Sequence, residues 1–532
     1  MGYKKDMSQY EYLEGWERIS LGEWLRNCAE RFGESIAVAD YESELTYNEL
    51  DNKVDRLASA LFGIGIKAGD KVVIQLPNRI SFIVSFFAVI RIGAVPILAL
   101  SAHREAELEG IMKVAEPKAY IVAERYLGYG YIALAETIRE KSPSLQTIIV
   151  DGEKGGDFLL SELDGEKREW DKVDGYSTAV LLLSGGTTGV PKLIPRTHTD
   201  YLYNARMSAK RCELKSDAVY LASLPVAHNF PLCCPGLIGT MDMGGTVVLC
   251  KNTSPDEILS LITEKQVSIT ALVPAMVSMC MEMMEWDDSF DLSSLRVLQV
   301  GGAMLEDTLA DKIIENWSCK LMQVFGTAEG LLCFTKVDDR DEITARCQGT
   351  PVSPADEVKI VDEEGNEVQR GEFGELLSRG PYTIDGYYNA EEANAISFTP
   401  DGYYKTGDRA MWTAEGNIRM GGRLKEQINR AGEKITPSEV EMYLCQYEDI
   451  KEAAVVGVPD EVLGNRNCAF IMTADNKELS RADIYQFLKE KGLAEYKIPD
   501  QVECIDSWPL TSVGKIDKKE LVVIAESKKQ GE

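Results

Sequence analysis

The 532-residue sequence has no apolar run of about 18 residues or more, so it offers no membrane-spanning helix. The stretch from Met1 to Trp16 is polar and acidic, with no apolar segment followed by small residues, and does not read as a secretory signal. Histidine is scarce, at three residues, and the twelve cysteines show no CxxC framework. Without clustered cysteine and histidine spacing, no structural zinc site is expected. The cysteines read instead as reduced, mostly small buried hydrophobes of a cytoplasmic protein. Positive charge is also short: 57 Lys and Arg stand against 86 Asp and Glu, a formal net charge of −29. That surface lacks the basic footprint of a nucleic-acid binder. It does not exclude a nucleotide, because a phosphate site needs only local N–H groups, one or two cations and a metal. No repeat with a period of about 20–50 residues is present.

What remains is a chain too long for one core, which predicts more than one domain. Apolar content of 45% and charged content of 27% are those of an ordinary soluble enzyme. Helical spacing covers 21–32 and 46–61, the second opening on Thr46 as an N-cap, and a largely buried helix is expected over 81–92. Strand-like runs fall at 71–75, 95–100, 119–122, 147–150, 246–249, 268–273 and 296–300. This alternation predicts parallel, doubly wound sheet. After about Asp338 the runs shorten and are separated by turns (357–361, 374–378, 416–420), which predicts a β subdomain. Beyond Gly421-Gly422-Arg423 a small α+β unit follows, with helices over 437–446 and 481–492 and strands over 450–458 and 469–473. The tail from Glu526 is polar and expected to fray. The fold class expected is therefore α/β: doubly wound α/β sheets plus a β subdomain over 1–424, then a small mobile α+β domain over 425–532.

Chemistry-bearing strings punctuate this plan. A strand ending at Leu183 runs into Ser184-Gly185-Gly186-Thr187-Thr188-Gly189-Val190-Pro191-Lys192. Its glycines let backbone N–H groups approach a polyphosphate, while Ser184, Thr187 and Thr188 add hydroxyls and Lys192 adds charge. It is not a Walker A loop, since Val-Pro precedes the lysine. With its Pro-Lys ending, the string resembles the phosphate loop of the adenylate-forming superfamily: acyl-CoA synthetases, luciferases and the adenylation domains of nonribosomal peptide synthesis. The resemblance covers nearly the whole chain, and further motifs recur in the family's order.

Gln323-Val324-Phe325-Gly326-Thr327-Ala328-Glu329-Gly330 looks like the aromatic-Gly-x-Thr-Glu motif. The resemblance places Phe325 on the adenine face and Glu329 on Mg²⁺, with Val324, Gly326 and Thr327 lining the nucleotide site. Ala328 stands where the family has threonine, leaving one phosphate contact unaccounted for. Gly301-Gly302-Ala303 looks like backbone lining the same pocket. Tyr404-Lys405-Thr406-Gly407-Asp408 matches the ribose motif, with Asp408 accepting from the ribose hydroxyls, Arg423 as a second ribose contact and Lys425 as the hinge. Pro509-Leu510-Thr511-Ser512-Val513-Gly514-Lys515 matches the catalytic-lysine motif. The chemistry demands such a cation, because an anionic carboxylate must attack an anionic α-phosphate. No general base is needed, since the carboxylate is already ionised. The resemblance further implies a domain swing that withdraws Lys515 and brings in Arg430-Ala431-Gly432-Glu433-Lys434, of which Gly432, Glu433 and Lys434 form the thiolation loop.

The string His228-Asn229-Phe230-Pro231-Leu232-Cys233-Cys234 resembles that of stand-alone aryl-acid adenylating enzymes of siderophore assembly. Amino-acid-activating relatives carry aspartate at the Asn229 position to pair an ammonium; an aryl acid has none, and a buried aspartate would be an unpaired charge. Asn229, Phe230, Cys234, Gly301 and Leu332 are the expected acid-binding residues. Cys234 and Leu332 follow salicylate-type members, where serine and valine accompany 2,3-dihydroxybenzoate, so salicylate is favoured. His228, grouped with the catalytic set, has three readings: a core histidine, a gate beside the thiol tunnel, or a base. The gate fits best, because the thiol attacks an already activated anhydride. ATP and Mg²⁺ are the expected cofactors. The expected partners are a small aryl acid and a phosphopantetheinylated aryl carrier protein, or alternatively coenzyme A, with no nucleic acid and no membrane.

Overall fold

The computed structural model describes residues 4–184, 192–430, 433–460, 463–474, 477–491, 493, 495–511 and 514–529. Two α/β sheets form the bulk. One has nine strands in the order Thr350–Pro351, Leu332–Phe334, Lys320–Gly326, Val297–Gly301, Ile269–Leu272, Val219–Ala222, Thr246–Leu249, Ile36–Ala39 and Glu44–Thr46. The other has seven: Leu193–Thr197, Thr178–Leu183, Val95–Leu98, Lys71–Gln75, Ala119–Ala123, Thr147–Asp151 and Phe158–Leu159. A four-stranded antiparallel sheet follows (Glu357–Val361, Gly374–Arg379, Tyr404–Trp412, Ile418–Arg423). The residues after it build a separate five-stranded sheet around the long hairpin Ile450–Asp460 and Gly464–Thr473.

The alternating pattern predicts parallel pairing, and the sheet interiors are parallel. The edges differ. Thr178–Leu183 pairs antiparallel with Leu193–Thr197, and Lys320–Gly326 pairs antiparallel with Leu332–Phe334. Both connections are too short for a crossover helix, so only a hairpin can close them. These two hairpins hold the phosphate-loop string and the Gly326–Thr327–Ala328–Glu329 string. The sequence therefore places both nucleotide motifs where a sheet reverses direction, at its edge.

Local chemistry explains the elements. Ser20 caps the helix Leu21–Phe32, its hydroxyl accepting from Glu23 N. Thr46 and Glu49 form a reciprocal capping box at the start of Tyr47–Gly63. The helix Ile80–Arg91 is buried on nearly every face, as its composition requires. The four-residue strands Ile36–Ala39 and Val219–Ala222 are not distinguished in the sequence, because short apolar runs look alike in strand and buried helix. At the other end the expected fraying from Glu526 does not occur, and the helix Lys518–Lys529 continues past it. Leu521 and Ala525 pack with Val456 and Phe470, and that core holds the last turns.

The two parts meet through a few polar contacts. Ser438 Oγ donates to Gly421 O at 3.2 Å, Arg409 donates to Thr436 Oγ1 at 3.2 Å, and Lys451 pairs with Glu282 at 3.2 Å. Glu306 lies in this seam, and burial with the nearby Glu441 and Asp307 pushes its carboxyl up to about 8.

The core of the first part encloses one charged cluster. Arg91 pairs with Asp51 at 2.6 Å and with Asp55, and Asp55 also pairs with Arg26 at 3.0 Å. Removing one member of such a cluster leaves the others charged and desolvated. Asp55→Ala is expected to lower unfolding stability by about 3–5 kcal/mol, measured by urea denaturation against wild type.

Candidate nucleotide and acid site

The site is assembled at the ends of the two hairpins. Ser184 and Lys192 bracket the phosphate loop: Ser184 N donates to Lys192 O at 3.0 Å, and Lys192 N donates to Ser184 Oγ at 3.3 Å. Gly185, Gly186, Thr187, Thr188 and Gly189 lie outside the described residues. The Lys192 ammonium sits 4.6 Å from the centre of the Tyr387 ring. The Tyr387 hydroxyl in turn donates to Glu329 Oε1 at 2.8 Å and lies 3.3 Å from the Tyr404 hydroxyl. One phenol thus connects the neck of the phosphate loop, Glu329 and the Tyr404–Asp408 motif.

Glu329 is buried, and its carbonyl accepts from Ile384 N at 2.8 Å. Thr327 closes the turn, its carbonyl and Oγ1 accepting from Gly330 N at 3.1 and 3.3 Å. Ala328 offers no hydroxyl, but its carbonyl accepts from buried Arg196 at 3.2 Å. Phe325 is half-buried against Leu331, Ile360 and Leu376 of the β subdomain.

Asp408 and Arg423 are register partners on neighbouring strands, with Arg423 Nε 3.1 Å from Asp408 Oδ1. Asp408 is 5% exposed, and its Oδ2 has no hydrogen-bond partner. A buried carboxylate oxygen without a donor fits a ligand that brings its own hydroxyls, as a ribose does. Burial raises the Asp408 carboxyl to about 6, against the opposing pull of Arg423. Among the described residues no group of three or more His, Cys, Asp or Glu could hold a metal. A lone carboxylate such as Glu329 fits Mg²⁺, which takes one or two carboxylates and completes its shell with phosphates and water.

Glycines let neighbouring protein groups pack closely here. A Cβ on Gly301 would sit 2.5 Å from Val324 O and 3.3 Å from Phe230 Cε1. One on Gly326 would overlap Leu332. Gly302 has φ +79°, and a Cβ there would lie 3.7 Å from Lys515 Cε. Lys515, from the second unit, is therefore laid against the Gly302–Ala303 backbone. Its loop is held by Thr511, whose Oγ1 accepts from Lys515 N at 3.1 Å and whose N donates to Lys515 O at 2.6 Å. Burial and Arg423 lower the Lys515 pKa, opposed by Asp408 and Glu426.

His228 caps the short helix Asn229–Cys233, its Nδ1 accepting from Phe230 N at 3.2 Å. Burial and neighbouring Lys515 push its imidazole down to about 4, so the ring is neutral at pH 7 and carries its proton on Nε2. Asn229 is buried; its Oδ1 accepts from Tyr201 at 2.9 Å and its Nδ2 faces Cys234 Sγ at 3.6 Å. The Cys234 thiol donates to Asn229 O at 3.7 Å, and burial raises it to about 12. Leu332 is also buried, in the strand paired with Gly326.

Of the expected residues, the structure sets Lys515 near Gly302, His228, Asp408 and Arg423, sets Glu329 near Asp408, and carries Asn229 and Cys234 on the short helix that His228 caps and at its end. Gly432 lies outside the described residues. Glu433 and Lys434 lie in a short strand, Glu433–Ile435, and Lys425 lies in the turn Leu424–Glu426. Tyr387 and Tyr201 contact two of the expected residues, Glu329 and Asn229. Tyr387 belongs to the string Gly380-Pro381-Tyr382-Thr383-Ile384-Asp385-Gly386-Tyr387-Tyr388, which marks it. Nothing in sequence marks Tyr201.

A buried carboxylate with a partnerless oxygen and a lysine reaching in from the second unit are features a nucleotide-using enzyme would have. The family model "AMP-binding enzyme" matches residues 25–388, and "AMP-binding enzyme C-terminal domain" matches 439–515. The chain is 45% identical over 511 residues to the 2,3-dihydroxybenzoate-AMP ligase of Bacillus subtilis, covering 95% of this chain and 94% of that one. It is 42% identical over 523 residues to the salicyl-AMP ligase / salicyl-S-ArCP synthetase of Mycobacterium tuberculosis, covering 97% and 92%. The apo structure of Mycobacterium smegmatis MbtA superposes with a TM-score of 0.76 at 41% identity, covering 98% of each chain. The chain belongs to the AMP-binding enzyme family, in the aryl-acid adenylating branch of the adenylate-forming superfamily.

An Asp408 that holds the ribose would accept its hydroxyls best when ionised, since a protonated carboxyl offers fewer and weaker acceptor positions. Since its carboxyl titrates at about 6, ATP affinity is expected to fall as pH drops through 6 and to level off above 7. Asp408→Asn should flatten that profile and weaken ATP at pH 7.5 by about 10-fold or more. Both are measured by ATP titration calorimetry from pH 5 to 8.

Proposed function

We propose that this enzyme joins an aryl acid, with salicylate preferred over 2,3-dihydroxybenzoate, to AMP and then passes the acyl group to the phosphopantetheine thiol of a carrier protein in siderophore or other nonribosomal peptide assembly. The observation that carries the reading is Lys515 lying against Gly302, near Asp408 with its unpartnered Oδ2 and near His228, which caps the helix of the neutral Asn229–Cys234 pair.

In the first step a carboxylate oxygen of the acid attacks the α-phosphorus of ATP, and pyrophosphate leaves. The Ser184–Lys192 loop cradles the polyphosphate, Asp408 and Arg423 hold the ribose, and Phe325 and Ala303 flank the base. Lys515 stabilises charge shared between the attacking oxygen and the phosphate. Glu329 would hold Mg²⁺, whose charge would further neutralise the phosphates. The position of Lys515 supports the adenylation arrangement as the one adopted here. In the second step the thiol sulfur attacks the acyl carbonyl, the bond to the phosphate oxygen breaks, and AMP leaves. We propose that the unit over 425–532 turns at Lys425 between the steps, exchanging Lys515 for the Gly432–Glu433–Lys434 loop. The sparse polar seam between the units supports that motion. Neutral His228 acts as the gate to the thiol channel, since a ring with its Nδ1 occupied by Phe230 N–H is poorly placed as a base.

Salicylate is preferred because the Cys234 proton is directed to Asn229 O, leaving no donor for a 3-hydroxyl, and leucine at 332 is bulkier than the valine that accompanies 2,3-dihydroxybenzoate. The twelve free cysteines support a reducing, cytoplasmic setting.

Acid-dependent ATP–pyrophosphate exchange is expected to be strongest with salicylate, followed by 2,3-dihydroxybenzoate, and negligible with amino and fatty acids. A fatty or amino acid as the best substrate would discard the aryl-acid reading. Lys515→Ala should lower exchange by about 100-fold or more while sparing ATP binding. Product analysis with a carrier protein and with coenzyme A decides the acceptor, coenzyme A alone overturning the carrier assignment.

A further inference from the structure

Tyr201, on the helix His198–Arg211, is fully buried and has no place in the motifs. Its hydroxyl donates to Asn229 Oδ1 at 2.9 Å, and its carbonyl accepts the Cys233 thiol at 3.1 Å. The Arg196 guanidinium lies 4.9 Å from the ring centre and is itself held by Asp200 at 2.8 Å and by Ala328 O at 3.2 Å. Arg196 thus lies against the ring, and Cys233 holds the Tyr201 backbone. Burial keeps the phenol proton in place by raising its pKa far above the usual value.

The polar contacts around Asn229 favour one amide orientation, the one that gives the buried Tyr201 hydroxyl an acceptor. The Cys234 proton goes to Asn229 O, so the sulfur has only lone pairs to offer, and Nδ2 faces them at 3.6 Å. Turning the amide over would set Oδ1 against that sulfur and remove the acceptor of the Tyr201 hydroxyl. We infer that Tyr201 is a positioning residue that holds the Asn229 amide as a hydrogen-bond donor to the ortho position of the acid, so that the site accepts ortho-hydroxy acids and rejects ortho-amino acids. This rests on the aryl-acid reading above.

The discrimination follows from counting protons. In salicylate the single hydroxyl proton is taken by the neighbouring carboxylate, and the hydroxyl oxygen presents lone pairs outward. In anthranilate one amino proton goes to the carboxylate and the other points outward. The free N–H of Asn229 meets an acceptor in the first case and a second donor in the second. The same argument does not separate salicylate from 2,3-dihydroxybenzoate, so it is independent of the Cys234 proposal.

The test compares kcat/KM for salicylate, anthranilate and benzoate by ATP–pyrophosphate exchange in wild type and Tyr201→Phe. In wild type salicylate is expected to exceed anthranilate by about 10-fold or more. The variant, with its amide free to turn, should narrow that ratio by about 5-fold or more and leave benzoate within about 3-fold of wild type. An equal fall for all three acids would mean that Tyr201 only supports packing, and the proposal fails. Wild-type use of anthranilate as readily as salicylate also overturns it, whether or not the variant folds. Exchange with salicylate present but the ratio unchanged sinks this proposal alone; no exchange with any aryl acid sinks the functional reading and this inference with it.

Discussion

The Tyr387 hydroxyl and the Glu329 carboxylate, 2.8 Å apart, fix where three distant stretches of chain must meet. Glu329 belongs to a hairpin at the edge of the nine-stranded sheet. Lys192, over the Tyr387 ring, belongs to a hairpin at the edge of the seven-stranded sheet. Tyr404, beside the same hydroxyl, opens the strand that carries Asp408. Backbone contacts reinforce the meeting: Tyr388 N donates to Leu193 O at 2.9 Å, and Ile384 N to Glu329 O at 2.8 Å. Gly330 has to be glycine, since a Cβ there would collide with Thr383. Lys192, Glu329 and the Tyr404–Asp408 strand are therefore set by one buried junction and not by three independent loops.

Much of this was legible in the sequence, and for definite reasons. The strands Lys71–Gln75, Thr246–Leu249 and Glu357–Val361 and the helix Leu21–Phe32 stand out because their apolar spacing is uninterrupted and their ends carry turn or cap residues. The nucleotide motifs stand out because each gathers several rare residues into a short string. What escaped was contributed across space. Tyr201 reaches Asn229 from another helix, and Arg196 reaches Ala328 O from another sheet. The antiparallel edges escaped because the βα alternation speaks for the sheet interior, while pairing direction at an edge depends on the length of one connection.

The chemistry around Asn229 shows how a neutral pocket can be selective. Tyrosine, asparagine and two thiols pass hydrogen bonds along a short chain in which burial keeps every titratable member protonated. The charge of nearby Arg196 is met by Asp200 and kept behind the Tyr201 ring. The nucleotide half, by contrast, keeps a carboxylate near its titration point. The two halves thus differ in character, one neutral and buried around Asn229, the other ionisable around Asp408.

Asp408 and Arg423 are paired across two strands of the β subdomain, on the N-terminal side of the turn that contains Lys425. A rotation about that turn would carry Lys515 away and leave this strand pair where it is. The sugar end of an acyl-adenylate would stay anchored throughout, while only the machinery around its reactive anhydride changed. Such an arrangement favours commitment over leakage: the intermediate need never be released into water, where hydrolysis would waste an ATP.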